Sequence, residues 1–462
     1  MYRLIDDYLE NWTVNPHRKP LILRGARQTG KTYAVKKLAG KKFKYFIHLN
    51  FERYPELTEL FVSSKDPQHI NRSLSAYFSV PVIPGETLLF LDEVQNSPEA
   101  IAALWHYYEE LPELHVIAAG SLLDFTLNKL PYSMPVGRVE FAYMYPMTFV
   151  EFLYAMEEKG LADYLPNYWP GTPFPAALHK KLLDLLRYYY FVGGMPEAVK
   201  TFVRDGDLQA VEKIQENIIT SFQYDFAKYG TKKQQQLLRE VMRFIARNPG
   251  KEITYAKINP HEHSKVIKSA LYKLEMSRII HLVRKTSAAG IPLEQYADED
   301  KFKAVFLDIG LANRLTGIRL TDLTEIITEG EGALAEQFAG QELIATWNPP
   351  YIDTKLYYWK RDVKNSNAEI DYLLQWGNEV LPLEIKAGKA GRLRSLHVFM
   401  ALYHKGLGIR LYTGLPRFDR NLQASVRLKN TSRRITYDLL SLPQYFTGFL
   451  KNILENLRKK SA

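Results

Sequence analysis

The sequence predicts an α/β protein that begins with a parallel sheet and ends with a small mixed α/β domain. A glycine-rich loop, residues 25–32, lies between a short apolar run and a helix-like segment. A second apolar run, residues 87–91, ends in two carboxylates, and residues 368–386 have the pattern of two strands joined by a two-residue turn. Continuous apolar runs are typical of strands buried in a parallel sheet, and a short turn between strands is typical of an antiparallel hairpin.

The length and composition are those of a multidomain globular protein. The chain has 462 residues, of which 46% are hydrophobic and 24% are charged. It is long enough for about three domains of roughly 150 residues, and its composition excludes a disordered or collagen-like protein. The net charge of +10 favours contact with polyanions, and nucleic acid is the leading candidate. The absence of cysteine excludes disulfides, thiolate metal sites and cysteine nucleophiles, and it fits a reducing compartment.

The beginning of the chain does not have the pattern of a targeting segment. Asp6, Asp7 and Glu10 lie where a signal peptide would have an apolar core. The uncharged stretch 164–179 is interrupted by four prolines, so we interpret it as a loop and not as a membrane-spanning helix. We therefore expect a cytoplasmic protein without a membrane partner.

Residues 25–32, Gly-Ala-Arg-Gln-Thr-Gly-Lys-Thr, have the composition of a phosphate-binding loop, or P-loop. Gly25 and Gly30 allow the backbone to curl so that its N–H groups, with the amino terminus of the next helix, surround phosphate oxygens. We expect Lys31 to reach the β and γ oxygens and the Thr32 hydroxyl to bind Mg²⁺, which prefers oxygen ligands. The predicted nucleotide-binding residues are Gly25, Ala26, Arg27, Gln28, Thr29, Gly30, Lys31, Thr32 and Asp92.

Acidic residues at the end of another apolar run complete this predicted site. Asp92 and Glu93 directly follow the run 87–91, and ligands of α/β sheets bind at the carboxyl ends of strands. We expect Asp92 to hold the Mg²⁺ and Glu93 to polarise the attacking water. A further strand-like run, 114–119, is followed by Gly120 and Ser121. Ser121 either senses the γ-phosphate or the water, or caps a helix.

These residues resemble the Walker A and Walker B motifs and the first sensor of AAA+ type P-loop ATPases. The resemblance continues through Gly137-Arg138, residues 145–152 and residues 193–197, which together look like one prokaryotic family. In that family a domain of largely uncharacterised function follows the ATPase. The resemblance implies ATP and Mg²⁺ as cofactors. The catalytic residues that it implies are Lys31, Glu93, Ser121 and Arg138.

Two interpretations of Arg138 follow from this resemblance and from its charge. It is either an arginine finger or second sensor, or a member of a surface salt bridge. If it acts in trans, hydrolysis requires a homo-oligomer, because one subunit must supply positive charge to the phosphoryl transition state of another.

The middle of the chain is expected to be helical. From residue 145 to about residue 230 apolar residues recur at helical spacing, which predicts a helical lid. Farther on, the patterns of 235–247 and 264–277 predict helices, and the strand-like segment 279–283 follows. This order is typical of a winged helix. Its last helix presents lysines either to DNA or only to solvent, as part of a packing module. These lysines are Lys265, Lys268 and Lys273.

The C-terminal hairpin has a register that follows from its turn. If Gly377-Asn378 is a two-residue turn, Trp376 pairs with Glu379 and all earlier pairs are fixed. One face of the hairpin is then apolar and the other is charged. The predicted apolar pairs are Ile370–Ile385, Tyr372–Leu383 and Leu374–Leu381. The predicted charged pairs are Asp371–Glu384 and Glu369–Lys386.

Carboxylates that face each other across a hairpin repel, so a bound cation would stabilise it. Mg²⁺ or Mn²⁺ between Asp371 and Glu384 could activate water for attack on a phosphodiester, with Lys386 stabilising the developing charge. This arrangement resembles the PD-(D/E)xK nuclease fold. The resemblance implies a further acidic ligand, Glu336, on a preceding helix 332–346, and a first strand at 357–359. The domain either cleaves nucleic acid or is a metal-free binding or structural module.

Basic residues around this hairpin suit both interpretations, because a nuclease and a DNA-holding module both attract phosphates. They are Lys360, Arg361, Lys364, Lys389, Arg392 and Arg394.

The sequence therefore predicts four parts. They are a P-loop ATPase core at 1–145, a helical lid at 146–230, a winged-helix region at 231–325 and a PD-(D/E)xK nuclease-like domain at 326–462. We expect the chain to hydrolyse Mg-ATP and to couple the nucleotide state to engagement or processing of DNA. The alternative is a nucleotide-dependent switch or recruitment scaffold that holds a protein or DNA without cutting it.

Overall fold

The computed structural model describes residues 1–121, 123, 125, 137–322, 332–363, 367–386, 388, 393–428 and 431–461. The chain divides into two compact units. Unit 1 comprises Met1–Pro146 with two short later segments, Met276–Arg278 and Asn348–Asp353. Unit 2 comprises Met147–Glu275, Ile279–Trp347 and Thr354–Ala462. The middle of the chain thus groups with the C-terminal sheet, and a finer division of unit 2 stays a prediction.

Unit 1 contains a five-stranded parallel sheet. Its strands are β1 Leu21–Arg24, β2 Tyr45–Asn50, β3 Thr87–Asp92, β4 His115–Gly120 and β5 Glu140–Tyr143. Its described helices are α1 Leu4–Val14, α2 Lys31–Lys42, α3 Thr58–Ser63, α4 Pro67–Phe78 and α5 Pro98–Glu110. The strand order is β2-β3-β4-β1-β5, and every neighbouring pair is parallel. All five strands therefore end at one edge, where a parallel sheet binds ligands.

Both faces of this sheet are buried. β3 and β4 are buried over their whole length, as the continuous apolar run of β3 predicts. Leu89 and Leu91 belong to the core cluster that includes α3, α4 and α5. Leu88 and Phe90, which alternate with them, belong to the cluster that includes α1 and α2. The predicted α/β fold, typical of P-loop nucleotide-binding domains, is confirmed.

Unit 2 begins with helices, as the apolar spacing predicts. They are α6 Phe149–Ala155, α7 Lys159–Tyr164, α8 Ala176–Val192, α9 Pro196–Asp205, α10 Leu208–Asp225, α11 Lys232–Arg247, α12 Tyr255–Ile258, α13 Ser264–Met276 and α14 Ile309–Thr316. The helix predicted to stop before Asn248 ends at Arg247. None of the described helices is both long and apolar enough to cross a membrane.

An eight-stranded mixed sheet forms the rest of unit 2. Its strands are β6 Ile280–Thr286, β7 Ala297–Phe306, β8 Leu356–Lys360, β9 Glu369–Trp376, β10 Glu379–Ile385, β11 Leu407–Tyr412, β12 Arg417–Leu428 and β13 Thr431–Pro443. The remaining helices are α15 Gly332–Thr346, α16 Arg394–Tyr403 and α17 Leu450–Ser461. The strand order is β12-β13-β11-β10-β9-β8-β6-β7. The β6–β7 pair is antiparallel, and β6 also pairs in parallel with β8.

The predicted register of the β9–β10 hairpin is confirmed from the turn as far as Tyr372. Glu379 pairs with Trp376, and the ladder continues to Leu383 opposite Tyr372. At its end the Ile385 N–H donates to the Asp371 carboxylate at 2.6 Å. The expectation of a charged second face is wrong for most of the hairpin. Leu373 and Val380, which alternation assigns to that face, are buried in an apolar cluster with residues of α16, because both faces of this sheet are covered.

Helix α15 is buried along most of its length, and its polar side chains bind the backbone of other segments. Gln337 exchanges two 2.8 Å hydrogen bonds with the backbone of Phe306. Gln341 accepts a hydrogen bond from the Ile309 N–H, and Glu342 accepts one from the Phe149 N–H, at 2.8 and 2.9 Å. Buried polar groups of this kind are stable only when paired. The predicted helix 332–346 is thus the central element of unit 2.

Candidate nucleotide site and carboxylate cluster

The glycine-rich loop has a backbone that requires its glycines. Gly25 and Gly30 have φ angles of 156° and 95°, in the region that favours glycine. A Cβ at Gly25 would lie 2.2 Å from the Met144 carbonyl oxygen. Gly30 directly precedes α2, so the free N–H groups of the first turn of α2 belong to the loop. This geometry is that of an anion site.

Lys31 is buried in the mouth of this loop. It is 7% exposed, and its ammonium donates to the carbonyl oxygens of Gly25 and Ala26 at 2.9 and 2.8 Å. Burial lowers the pKa of Lys31 to about 8, although the carboxylates of Glu93 and Asp92 favour its charged form. The lysine is therefore held beside the loop by weak acceptors, which phosphate oxygens can replace.

Arg3 supports the same loop, a role that sequence reasoning missed. Its guanidinium donates to the carbonyl oxygens of Thr29 and Tyr145, each at 2.7 Å. The residue is only 4% exposed. Inside the loop, the Thr29 hydroxyl donates to the Ala26 carbonyl at 2.9 Å. Nothing in the sequence marks Arg3, because its two partners lie far from it along the chain.

The two residues predicted to hold Mg²⁺ meet at the carboxyl edge of the sheet. The Thr32 hydroxyl donates to the Asp92 carboxylate at 3.1 Å. The same carboxylate oxygen lies 3.0 Å from His48 Nε2 and 3.3 Å from Asn50 Nδ2. Burial would raise the pKa of Asp92, but the hydrogen bonds from His48, Thr32 and Asn50 outweigh it and lower that pKa. Asp92 is thus an ionised acceptor, and oxygens of this kind fit Mg²⁺.

Glu93 and Ser121 lie at the same edge, directly after β3 and β4. Glu93 has a φ of 52°, and its carboxylate accepts a hydrogen bond from Gln95 at 2.5 Å. Ser121 is 5% exposed, and within the described part of the chain its hydroxyl has no hydrogen-bond partner. Residue 122 and most of those up to 136 lie outside the described residues, and with them most of the segment that Ser121 would cap as a helix.

Arg138 lies at the opposite edge of the sheet. It precedes Glu140, which pairs with Leu21 at the amino end of β1. The four residues of β1, about 13 Å at roughly 3.3 Å each, separate that end from the glycine-rich loop. Arg138 binds Glu109 and lies over the Tyr108 ring. At this distance Arg138 does not fit the role of a second sensor for the nucleotide of its own subunit. The predicted surface salt bridge is present, with Glu109 as the partner. The role of an arginine finger in trans stays a prediction.

On the C-terminal sheet and on helix α15 the structure collects four carboxylates and three lysines. The carboxylates, which we call the carboxylate cluster, are Glu336, Glu369, Asp371 and Glu384. Lys303 on β7 binds two of them, with its ammonium 2.8 Å from Glu336 and 2.5 Å from Glu369. Lys360 lies 3.9 Å from Glu369, and Lys386 binds Glu384. Sequence reasoning found Asp371, Glu384, Lys386 and Glu336 but missed Lys303.

The predicted second metal site is not supported by this arrangement. Among the residues that the structure describes, no group of three or more His, Cys, Asp or Glu has the geometry of a metal site. Asp371 accepts the Ile385 N–H, and Lys386 binds Glu384. Burial and the nearby Asp371 raise the pKa of Glu384. Lysines and backbone groups thus occupy positions that metal ligation would need.

The other predicted DNA contacts are exposed, partly buried or outside the described residues. The Lys268 ammonium pairs with Asp300 at 2.9 Å, on a surface where both side chains are exposed. Lys265 is exposed. Lys360 pairs with Glu252 at 3.3 Å. Lys364, Lys389 and Arg392 lie outside the described residues.

Three family models match separate parts of the chain. Residues 17–153 match a family described as an AAA domain. Residues 183–322 and 331–430 match two domains of unknown function, DUF8612 and DUF4143. No curated protein matches the chain.

Several solved structures are distantly similar. The Walker-type ATPase PABY2304 of Pyrococcus abyssi has 15% identity and a TM-score of 0.43, over 68% of this chain and 95% of its own. The ADPNP-ADP form of the ORC2 protein of Aeropyrum pernix has 12% identity and a TM-score of 0.34, over 70% and 94%. A STAND ATPase with a tetratricopeptide repeat sensor, PH0952 of Pyrococcus horikoshii, has 10% identity and a TM-score of 0.25, over 72% and 44%. Together with the loop geometry, the match of residues 17–153 to an AAA domain supports a P-loop ATPase domain in the first part of the chain.

Proposed function

We propose that this chain binds Mg-ATP through unit 1, hydrolyses it, and couples the nucleotide state to engagement of DNA by unit 2. The observation that carries the proposal is the contact between Thr32 and Asp92, 3.1 Å long. It joins the end of the glycine-rich loop to the end of β3, beside the buried Lys31. A hydroxyl and an ionised carboxylate in this position would be suited to hold a Mg²⁺ ion, which would neutralise phosphate charge.

Different groups of the site would bind the phosphates and hold the metal. The N–H groups of the loop and of the first turn of α2 bind phosphate oxygens. Lys31 would exchange its two carbonyl partners for phosphate oxygens, and Thr32 and Asp92 would hold the metal. Mg²⁺ supplies charge neutralisation for the transferring phosphoryl group.

Glu93 orients and polarises the attacking water, and its hydrogen bond with Gln95 fixes its carboxylate. Ser121, whose buried hydroxyl faces no described partner, is suited to sense the γ-phosphate or the water. Arg138 would act only on the nucleotide of a second subunit, so the proposal includes a homo-oligomer if Arg138 is the finger.

Two features of unit 2 support DNA as the partner. The order α11, α12, α13, then the antiparallel pair β6–β7, is similar to that of a winged helix, whose last helix contacts DNA. Lys265 and Lys268 on α13 are exposed, and the chain has a net charge of +10. Such a charge favours binding of polyanions.

The order of elements in the C-terminal domain supports a PD-(D/E)xK nuclease-like fold. That order is α15-β8-β9-β10-α16-β11, and β8, β9, β10 and β11 are adjacent in the sheet. Asp371, Glu384 and Lys386 lie together at one end of its hairpin. The second candidate function is a nucleotide-dependent recruitment scaffold, and the binding of Lys303 by Glu336 and Glu369 favours it. Fold likeness by itself does not imply cleavage.

Steady-state ATP turnover with and without duplex DNA tests the proposal. Glu93→Gln should lower kcat roughly 100-fold or more while ATP still binds. Glu113→Gln is the matched control, because Glu113 is exposed at the amino end of β4. Lys31→Ala should abolish ATP binding. If Lys31→Ala leaves ATP affinity unchanged, the assignment of the nucleotide site is wrong. Tight ATP binding with negligible ATP turnover in the wild type would favour the recruitment scaffold.

DNA contact has a separate test. Replacing Lys265 and Lys268 with Gln should weaken duplex binding and reduce the slope of log affinity against log salt by about 2. The control replaces Lys200 and Lys213 with Gln, which removes the same amount of charge. These two lysines are exposed on α9 and α10. Equal effects of the two double variants would argue against α13 as the contact.

A further inference from the structure

We propose that the ammonium group of Lys303 is the built-in cation of the carboxylate cluster, so that the C-terminal domain binds no divalent metal and holds its partner without cutting it. This inference deepens the proposed role of unit 2 and rests on it only for the existence of a partner. The claim about metal is independent of ATP turnover.

Lys303 is buried against two carboxylates of the cluster. It is 1% exposed, and its ammonium is 2.8 Å from Glu336 and 2.5 Å from Glu369. The ring centre of Tyr358 lies 5.0 Å from the same nitrogen. Two carboxylates and an aromatic face thus surround a buried ammonium group. A charge is retained in such a place only when it is paired this well.

The carboxylates of the cluster keep the Lys303 ammonium charged. Burial alone would lower the pKa of Lys303, but Glu336, Asp371 and Glu369 together raise it. Lys303 is therefore charged at every physiological pH. Burial raises the pKa of Glu336, and Lys303 works against that rise. The lysine supplies positive charge to Glu336 and Glu369, which it contacts, and to the nearby Asp371.

The rest of the cluster is compensated in other ways. Asp371 accepts the Ile385 N–H at 2.6 Å, and Glu384 binds the Lys386 ammonium. Glu384 is 2% exposed, and one of its oxygens has no hydrogen-bond partner among the described residues. The Ile385 N–H and the Lys386 ammonium thus offset the repulsion between Asp371 and Glu384 without a metal.

A divalent cation in this cluster would have to displace Lys303 or lie beside it. Displacement leaves a buried ammonium without its carboxylates, and coexistence brings like charges together at low dielectric. Mg²⁺ and Mn²⁺ also need about six oxygen ligands, whereas two of the four carboxylates are bound by Lys303 and a third by Lys386. The cluster is therefore arranged for an ammonium ion and not for a metal.

The test is Mn²⁺ binding to the nucleotide-free full-length protein, counted by electron paramagnetic resonance. Wild type and Asp371→Asn should bind the same number of Mn²⁺ ions, and neither should cut plasmid or single-stranded DNA with Mg²⁺ or Mn²⁺. Any ion at the nucleotide site disappears in Asp92→Asn, which separates the two regions. A Mn²⁺ ion that wild type binds and Asp371→Asn loses would overturn the proposal, as would DNA cutting that Lys386→Ala abolishes.

A second variant tests Lys303 directly. Lys303→Met keeps the aliphatic length and removes the ammonium, so the variant should melt at a lower temperature than wild type, and Mn²⁺ should raise its melting temperature while leaving that of wild type unchanged. If Lys303→Met does not fold even with Mn²⁺, the comparison of wild type with Asp371→Asn decides the question. A Lys303→Met protein as stable as wild type, with no response to Mn²⁺, would contradict the proposal. Failure of ATP turnover would remove the proposed function and leave this result unaffected.

Discussion

Arg278 and Asp353 form a two-armed ion pair, with distances of 2.8 and 2.9 Å between the guanidinium nitrogens and the carboxylate oxygens. The Arg278 guanidinium also lies 4.7 Å from the ring centre of Tyr143, at the end of β5. The Tyr143 N–H donates to the Pro350 carbonyl at 2.8 Å. The pair therefore joins the two later segments of unit 1 to the strand beside β1, whose end carries the glycine-rich loop.

Replacing Asp353 with Asn should destabilise unit 1. The substitution removes the negative charge that faces the Arg278 side chain, which is 8% exposed. We expect a loss of about 2 kcal/mol in the free energy of unfolding, the size typical of a hydrogen bond to a charged group. Urea denaturation of the full chain measures it. Asp300→Asn, which removes the exposed partner of Lys268, is the control and should have no measurable effect. Similar losses in both variants would contradict the structural role of the pair.

The Asp353→Asn substitution should also weaken the coupling between the nucleotide state of unit 1 and DNA engagement by unit 2. The chain enters and leaves unit 2 directly on either side of Met276–Arg278 and Asn348–Asp353. If the nucleotide state reaches unit 2 through these segments, Asp353→Asn should reduce the stimulation of ATP turnover by DNA and leave basal turnover nearly unchanged. Stimulation equal to that of wild type would exclude this route.

Replacing Arg3 with Met should weaken ATP binding without unfolding the protein. The variant loses two charge-assisted hydrogen bonds to the backbone of Thr29 and Tyr145, so the loop must be ordered by the nucleotide itself. We expect roughly tenfold weaker binding, since about 1.4 kcal/mol is tenfold in affinity. A fluorescent ATP analogue measures it. Arg18→Met is a matched control, because Arg18 donates to the carbonyl oxygens of Pro112 and Glu113 at the other edge of the sheet. Equal losses in the two variants would indicate a general effect on stability.

The elements that sequence reasoning predicted well are those fixed by local patterns. The apolar run of β3 defines a buried strand, and the glycines of the loop define its turn and the start of α2. The Gly377-Asn378 turn sets the β9–β10 register, because a two-residue turn leaves no freedom in the pairing. Asp371 and Glu384 could be identified as conflicting charges for the same reason.

The side chains that were missed act over long sequence separations. Arg3 binds a carbonyl 26 residues away, Lys303 binds Glu336 at a separation of 33, and Arg278 binds Asp353 at 75. No periodicity connects such residues. The repulsion within the hairpin predicted a cation, but only the fold reveals which cations are present: Lys386 binds Glu384, and Lys303 of β7 binds Glu336 and Glu369. Likewise, Arg138 was identified by resemblance, and the strand register moves it to the amino edge of the sheet.

ATP binding should be accompanied by uptake of a proton near pH 8. In the nucleotide-free protein, burial lowers the pKa of Lys31 to about 8, so about half of the molecules lack this proton at pH 8. Phosphate oxygens favour the charged form and raise that pKa again. Calorimetry at pH 8 in buffers of different ionisation enthalpy should therefore show uptake of up to about half a proton per ATP. Uptake should disappear in Lys31→Met if that variant still binds ATP at high concentration, and the uptake of wild type should fall at pH 7. Equal uptake at both pH values would assign the proton to another group.

Glu342 should make the stability of unit 2 depend on pH. It is fully buried, its carboxyl accepts the Phe149 N–H at 2.9 Å, and burial raises its pKa to about 8. A group whose folded pKa lies above its unfolded pKa, about 4.5 for Glu, stabilises the protein fully at low pH. That contribution falls as the pH rises from about 4.5 and is lost at about pH 8. Relative to Glu342→Gln, wild type should therefore lose stability between pH 5 and pH 8 and then level off.

Urea denaturation of both proteins at pH 5, 6.5, 8 and 9 measures the difference in the free energy of unfolding, in which the titration of other groups cancels. Glu455→Gln, on the exposed side of α17, should differ from wild type by the same amount at every pH. A constant difference for Glu342→Gln as well would mean that Glu342 is ionised in the folded protein throughout this range.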